Sequence, residues 1–306
     1  MGFLRVDSIW YSGSMNQAPL DKFSAIWVSH SSIGDFIKCP RAYYLNHIYK
    51  NPKTGKKISL MSPPYALGQA VHEVVESLST IPTDQRFKES LIVKFERVWE
   101  KYTGKKGGFF DQSAEDRYRE RGKAMLKRVV DNPGPIAKLA VKINIDLPNF
   151  WLSESDNLIL CGKIDWLEYL SDTDSVRIID FKTSRTEESD SSLQLPIYYL
   201  LAKNCQQREV VGVSYWYLEF SDQLEDKPLP NYDEAYSSIL KHAKDIKLAR
   251  QLNRFKCPNG DEGCTVCIPL EEIVKGKAEL INTKGKKEIY VLNNTLTIKE
   301  AESVIL

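Results

Sequence analysis

Leu158-Ile159-Leu160-Cys161-Gly162-Lys163-Ile164-Asp165-Trp166-Leu167-Glu168-Tyr169-Leu170 is followed, across Ser171-Asp172-Thr173-Asp174-Ser175, by Val176-Arg177-Ile178-Ile179-Asp180-Phe181-Lys182-Thr183. Two runs rich in strand formers, separated by a polar turn, read as a β-hairpin. Side chains alternate across a strand, so Asp180 and Lys182 share one face while Ile179 and Phe181 take the other. On the first strand Lys163 and Asp165 share a face in the same way. With the turn centred on Asp172-Thr173, counting the register sets Asp165 opposite Asp180. Opposed residues hold their Cβ atoms about 5 Å apart. Two carboxylates at that spacing repel each other unless a cation lies between them, and a hard divalent ion makes the pair a binding site.

Alone, Asp-x-Lys is the polar face of a half-exposed strand. Its neighbours change the reading. A helix follows, with Asp190, Ser191 or Ser192 as its cap and Pro196 tolerated in its first turn. Its apolar stripe is Leu193, Ile197, Leu200 and Leu201, and Gln194 and Tyr198, four apart, share another face. His72 and Glu76 are also four apart, on a helix expected over residues 66–78. The stretch before it is a polar, lysine-rich loop closed by Pro63-Pro64. Further helices are expected over 86–101, 114–130 and 232–252, and strands over 25–28, 210–220 and 289–292. Ser29 caps a helix that Pro40 breaks or kinks. A helical first part followed by strand, strand, helix and strand implies a mixed α/β fold.

Four motifs then fall in order. Leu67-Gly68-Gln69-Ala70-Val71-His72-Glu73, Gly162-Lys163-Ile164-Asp165, Ile178-Ile179-Asp180-Phe181-Lys182-Thr183 and Gln194-Leu195-Pro196-Ile197-Tyr198 together resemble the motifs of RecB-like PD-(D/E)XK nucleases. The resemblance implies a restriction-endonuclease-like core, a central mixed sheet flanked by helices. It implies that His72, Asp165, Asp180 and the carbonyl of Phe181 ligate Mg²⁺ or Mn²⁺. It implies that Lys182 orients or activates the attacking water, with Gln194 and Tyr198 positioning Lys182 or the substrate strand. The expected organisation is an N-terminal arm at 1–24 and a nuclease domain at 25–270 with a helical insertion at about 66–131. A C-terminal extension over 271–306 follows.

Cys257, Cys264 and Cys267 lie close together in a stretch rich in Pro, Gly, Asn and Asp, and three thiols are one short of a closed tetrahedral site. Cys39, in Phe36-Ile37-Lys38-Cys39-Pro40-Arg41-Ala42-Tyr43-Tyr44, resembles the opening cysteine of iron–sulfur members of the family. That resemblance implies a [4Fe–4S] cluster held by Cys39, Cys257, Cys264 and Cys267. The spacing departs from many relatives, since the short C-x₂-C gap comes last, and a zinc ion in the same four-cysteine site is the alternative. Cys161 and Cys205 read as packing residues.

With 42 basic and 41 acidic residues the net charge is +1, so any polyanion must be met by a local patch. Lys50, Lys53, Lys56 and Lys57 form one cluster, and Lys275, Lys277, Lys284, Lys286 and Lys287 another; both read as solvated surface. No apolar run reaches bilayer length and no signal peptide is evident, so the expectation is a cytoplasmic protein without a membrane partner. No G-x-x-x-x-G-K-[ST] run occurs, so a helicase motor would have to be a separate subunit. The expected function is a metal-dependent deoxyribonuclease. It would act on single-stranded DNA or free ends, as an exonuclease or flap-type enzyme in repair, recombination or defence. The alternative is a non-catalytic nucleic-acid binder that keeps the fold.

Overall fold

The computed structural model describes residues 21–292. Positions 1–20 of the expected arm and 293–306 of the expected extension lie outside the described residues. β1 (Ile26–Val28) leads into α1 (His30–Lys38), whose cap is a reciprocal pair of hydrogen bonds between Ser29 and Ser32. Pro40 ends that helix and opens α2 (Pro40–Tyr43) at its first position, where a missing N–H leaves no bond unmade. β2 (Lys57–Leu60) precedes α3 (Pro63–Ser77), α4 (Leu91–Trp99) and α5 (Gln112–Asp131). Then come β3 (Asn149–Ser153), β4 (Leu158–Cys161), β5 (Trp166–Leu170), β6 (Ser175–Lys182) and α6 (Gln194–Cys205). β7 (Glu209–Tyr217), β8 (Glu225–Lys227), α7 (Tyr232–Gln251), α8 (Ile268–Val274), β9 (Ala278–Lys284) and β10 (Lys287–Leu292) complete the described chain.

The fold is mixed α/β. The described strands form three sheets, ordered β1-β4-β3, β2-β10-β9 and β5-β6-β7-β8. The last is a mixed sheet, antiparallel at β5/β6 and β7/β8 and parallel at β6/β7. Along β6, Val176 and Ile178 join a core with α6 and α7, whereas Ile179 and Phe181 join another with α3, α4 and α5. Helices therefore cover both faces of this sheet. On the second face Gly122 of α5 lies against α4, where an added Cβ would meet Phe95 Cζ at 2.3 Å. Hydrogen alone fits there.

Several expectations need correction. The first hairpin strand is two strands in different sheets, broken at 162–165. Leu158–Cys161 is buried at every position between β1 and β3, as a central strand must be, and polar Lys163 and Asp165 cannot continue it. Pro63-Pro64 does not close a loop but starts α3. The lysine-rich segment before it contains β2, which pairs in parallel with β10 although 230 positions separate Lys57 from Lys287. Strands β3 and β9 were not expected. The helix placed at 86–101 is confined to Leu91–Trp99. None of Asp190, Ser191 or Ser192 caps α6; Leu193 holds the cap position without a side-chain bond. Burial on nearly every side of α6 supplies the stability a cap would have added.

Candidate active site and cysteine centre

Trp166 pairs with Ile179 at the start of β5, so Asp165, one residue earlier, lies beside Asp180 as the register count predicts. Asp165 itself stands just outside the strand. Its Oδ2 accepts a hydrogen bond from Phe181 N at 3.0 Å, which takes the place of a ladder bond and fixes the carboxylate beside β6. On α3, Leu67, Val71, Val74 and Val75 face the core, with Leu78 just after it, and leave His72 and Glu76 at the margin. His72 Nδ1 lies 3.3 Å from Asp165 Oδ2 and 3.4 Å from Glu76 Oε1. Donor atoms of these three residues all lie within 4.8 Å of one another.

Asp180 is 2% exposed. Gln194 Nε2 donates to its Oδ1 at 2.7 Å and to the Tyr198 hydroxyl at 3.2 Å, while Gln194 Oε1 accepts from Lys182 Nζ. One amide thus fixes both the acid and the amine of the third motif. That is the physical content of the Gln194/Tyr198 pair, and the helix spacing of four places both against β6. Asp180 Oδ2 makes an ion pair with Lys182 Nζ at 3.1 Å but no well-aligned hydrogen bond, so it keeps a lone pair for a ligand. Lys182 also meets Glu188 Oε2 at 3.2 Å and lies over the Tyr215 ring at 5.0 Å.

Charge is strongly coupled here. Burial opposes protonation of His72, but Asp165 and Glu76 outweigh it and raise its pKa to about 10. Burial, and then the Asp165 charge, push Asp180 up to about 7. Lys182 is raised as well, because Asp180 and Glu188 outweigh the cost of burying its charge. Burial raises Tyr198, with the Asp180 charge adding to it, and the phenol stays neutral. Imidazole nitrogen and carboxylate oxygens around one point form a donor set suited to Mg²⁺ or Mn²⁺.

The site lies where two clefts meet. One, of about 870 Å³, extends from His72 and Asp165 past Tyr102, Lys142 and Lys284. The other, of about 460 Å³, extends from the same pair past Tyr65, Asp180, Lys182 and Gln194. Glu76 and Glu188 were missed as site residues. Glu76 carried a signal, its helical spacing from His72. Glu188 sits in an irregular segment between β6 and α6, where no periodicity marks it.

The structure also unites the cysteines. Donor atoms of Cys39, Cys257, Cys264 and Cys267 lie within 4.8 Å of one another, from both ends of the chain. Cys39, Cys257 and Cys267 are buried. Burial, with Cys264 and Cys257 adding to it, raises the Cys39 thiol to about 12; backbone N–H groups outweigh burial at Cys264 and lower it to about 7. Four thiols of this kind can hold a tetrahedral ion or an iron–sulfur cluster. Cys161 is buried and Cys205 partly so, both outside this group.

No curated protein matches the chain. Among solved structures, a provisionally named exonuclease from Eubacterium rectale is similar over 85% of this chain and 91% of its own, at 12% identity and a TM-score of 0.46. The sequence profile of the PD-(D/E)XK nuclease superfamily matches residues 27–268. That span takes in all four motifs, the sheet that carries Asp180 and borders Asp165, and the four clustered cysteines, and the chain belongs to the PD-(D/E)XK nuclease superfamily.

Proposed function

We propose that this chain is a Mg²⁺- or Mn²⁺-dependent deoxyribonuclease that hydrolyses phosphodiesters at single-stranded or free DNA ends. The observation that carries the reading is the clustering of His72, Glu76 and Asp165 at a cleft that Asp180 and a half-buried, charged Lys182 also line. His72, Glu76, Asp165 and Asp180, with the Phe181 carbonyl as a further donor, would hold the ion. Bound there, it would polarise a phosphate oxygen and lower the pKa of an attacking water. Lys182 keeps its proton and offsets charge building on the phosphate, held to that task by Asp180, Glu188 and Gln194. Gln194 braces both members of the Asp180–Lys182 ion pair, since each bonds a different end of its amide. The test is a labelled single strand incubated with Mn²⁺ or with EDTA: cleavage only with the ion supports the reading. Binding without cleavage in both would favour a non-catalytic binder.

Ligation needs His72 and Asp180 without their protons. Raised pKa values therefore oppose loading at low pH, and Mn²⁺ affinity should climb from about pH 6 to about pH 10. At pH 8 Asp180 has mostly lost its proton whereas His72 still carries one, so each ion bound should expel about one proton. Calorimetry in buffers of different ionisation enthalpy reads that proton directly. Affinity independent of pH would contradict the ligand set.

Strand pairing also sets one lysine of the first cluster beside two of the second. Lys57, Lys287 and Lys284 stand side by side across β2, β10 and β9, and Lys284 lines the larger cleft. Like charges in register are destabilising, and a polyanion lying along them removes that cost. Replacing all three by Ser should weaken DNA binding and flatten its dependence on salt. On a single strand the log–log slope should fall by about 0.7 for each phosphate the variant no longer neutralises. Fluorescence anisotropy across a salt series checks this, and an unchanged slope would place the DNA elsewhere.

A further inference from the structure

The cysteine centre is separate from the nuclease residues, and its spacing discriminates between the two groups that four thiols can bind. A zinc ion holds thiolates at about 2.3 Å, and tetrahedral geometry then sets the sulfurs about 3.8 Å apart. Cys264 Sγ and Cys267 Sγ are 3.8 Å apart. All four donors lie within 4.8 Å of one another. Even if every separation were 4.8 Å, each sulfur would lie only about 2.9 Å from their common centre, which leaves about 0.6 Å beyond one metal–sulfur bond. One ion fits that sphere. Four irons and four sulfides do not, because each thiolate of a cubane binds its own corner and radiates outward from it. The donor type suits an iron–sulfur cluster; the spacing does not.

The protein itself maintains this spacing. Cys39 stands at the N-cap of α2, and Arg41 in the same helix reaches across to the cysteine loop. Arg41 Nη2 donates to Gly260 O at 3.1 Å, and Nη1 to Asp261 O at 3.3 Å and Glu271 Oε1 at 3.0 Å. Gly263 has φ +83°, and an added Cβ would come within 3.2 Å of Cys267 Sγ. The loop is thus wrapped closely around its sulfurs. Cys264 N donates to Cys267 Sγ at 3.2 Å, a bond that stabilises a thiolate in a C-x₂-C turn. Opening the site to cubane size would drive the Cys264 and Cys267 sulfurs well beyond 3.8 Å and stretch the Arg41 clamp.

We propose that Cys39, Cys257, Cys264 and Cys267 bind one tetrahedral Zn²⁺ ion in place of a [4Fe–4S] cluster. The ion joins the start of the domain to its end, linking α2 to the loop before α8. The test uses the full chain purified without oxygen from cells supplied with both iron and zinc, analysed for metals and acid-labile sulfide and by zinc X-ray absorption. Expected is a colourless protein with one tightly held zinc per chain and four sulfur neighbours at about 2.3 Å. A Cys257→Ser/Cys264→Ser double variant should lose the sulfur shell in that spectrum, whereas His72→Ala should keep it, which separates this centre from the nuclease site. A brown protein with several irons and sulfides per chain, a single thiolate-bound iron, or zinc with nitrogen and oxygen neighbours only would each overturn the proposal. Nuclease activity plays no part in the readout, so its absence would leave the result intact.

Discussion

Asp180→Asn should fold as well as the parent and cleave DNA about a thousandfold more slowly, or not measurably. The substitution preserves shape and keeps an oxygen for Gln194 Nε2 to bond. It removes one of two neighbouring carboxylates whose repulsion helps push Asp180 up to about 7, so stability should not fall. Lys182 keeps Glu188 at 3.2 Å and Gln194 as partners. What is lost is the charge that would hold the metal. Lys182→Ala should be equally inactive but less stable, by about 3 kcal/mol, because Asp180 and Glu188 would lose the cation they share. Thermal melting and cleavage rates of the two variants separate these effects. Parental activity in Asp180→Asn would end the catalytic account.

Phe181→Ala is the complementary case. The Phe181 side chain is 1% exposed and packs against Trp166 and Trp216, with ring centroids at 6.3 and 6.0 Å. Its removal opens a cavity on the face of β6 covered by α3, α4 and α5, at a cost of about 3–5 kcal/mol. The proposed ligand at this position is the main-chain carbonyl, and the N–H that holds Asp165 is also main chain. Both survive truncation. A melting point lowered by many degrees should therefore accompany near-parental cleavage well below the transition. An unchanged melting point, or activity lost where the variant is still folded, would show that the side chain has a different role.

The separation between these two neighbours follows from strand alternation, and that was readable from residue order. So was the pairing of Asp165 with Asp180, because a short turn leaves few registers open. The grouping of Gln194 with Tyr198 and of His72 with Glu76 followed from helix periodicity. Legibility failed where partners are distant or surroundings decide. β2 looked like a lysine-rich loop since its partner, β10, lies near the other end of the chain. Glu188 gave no signal because an irregular segment has no period to read. The break at 162–165 came from burial of β4 on both faces, which local composition does not reveal.

Residue order by itself determined the mixed α/β class, the four motifs and their order, and which side chains share a face, since these depend on covalent periodicity and nearby turns. Tertiary structure alone decided that Glu188 joins Gln194 at Lys182, that Lys57, Lys284 and Lys287 align across three strands, and how closely the four cysteines approach one another. Those facts rest on an irregular segment folding back, or on segments far apart in the chain meeting, and packing sets such separations with no local rule.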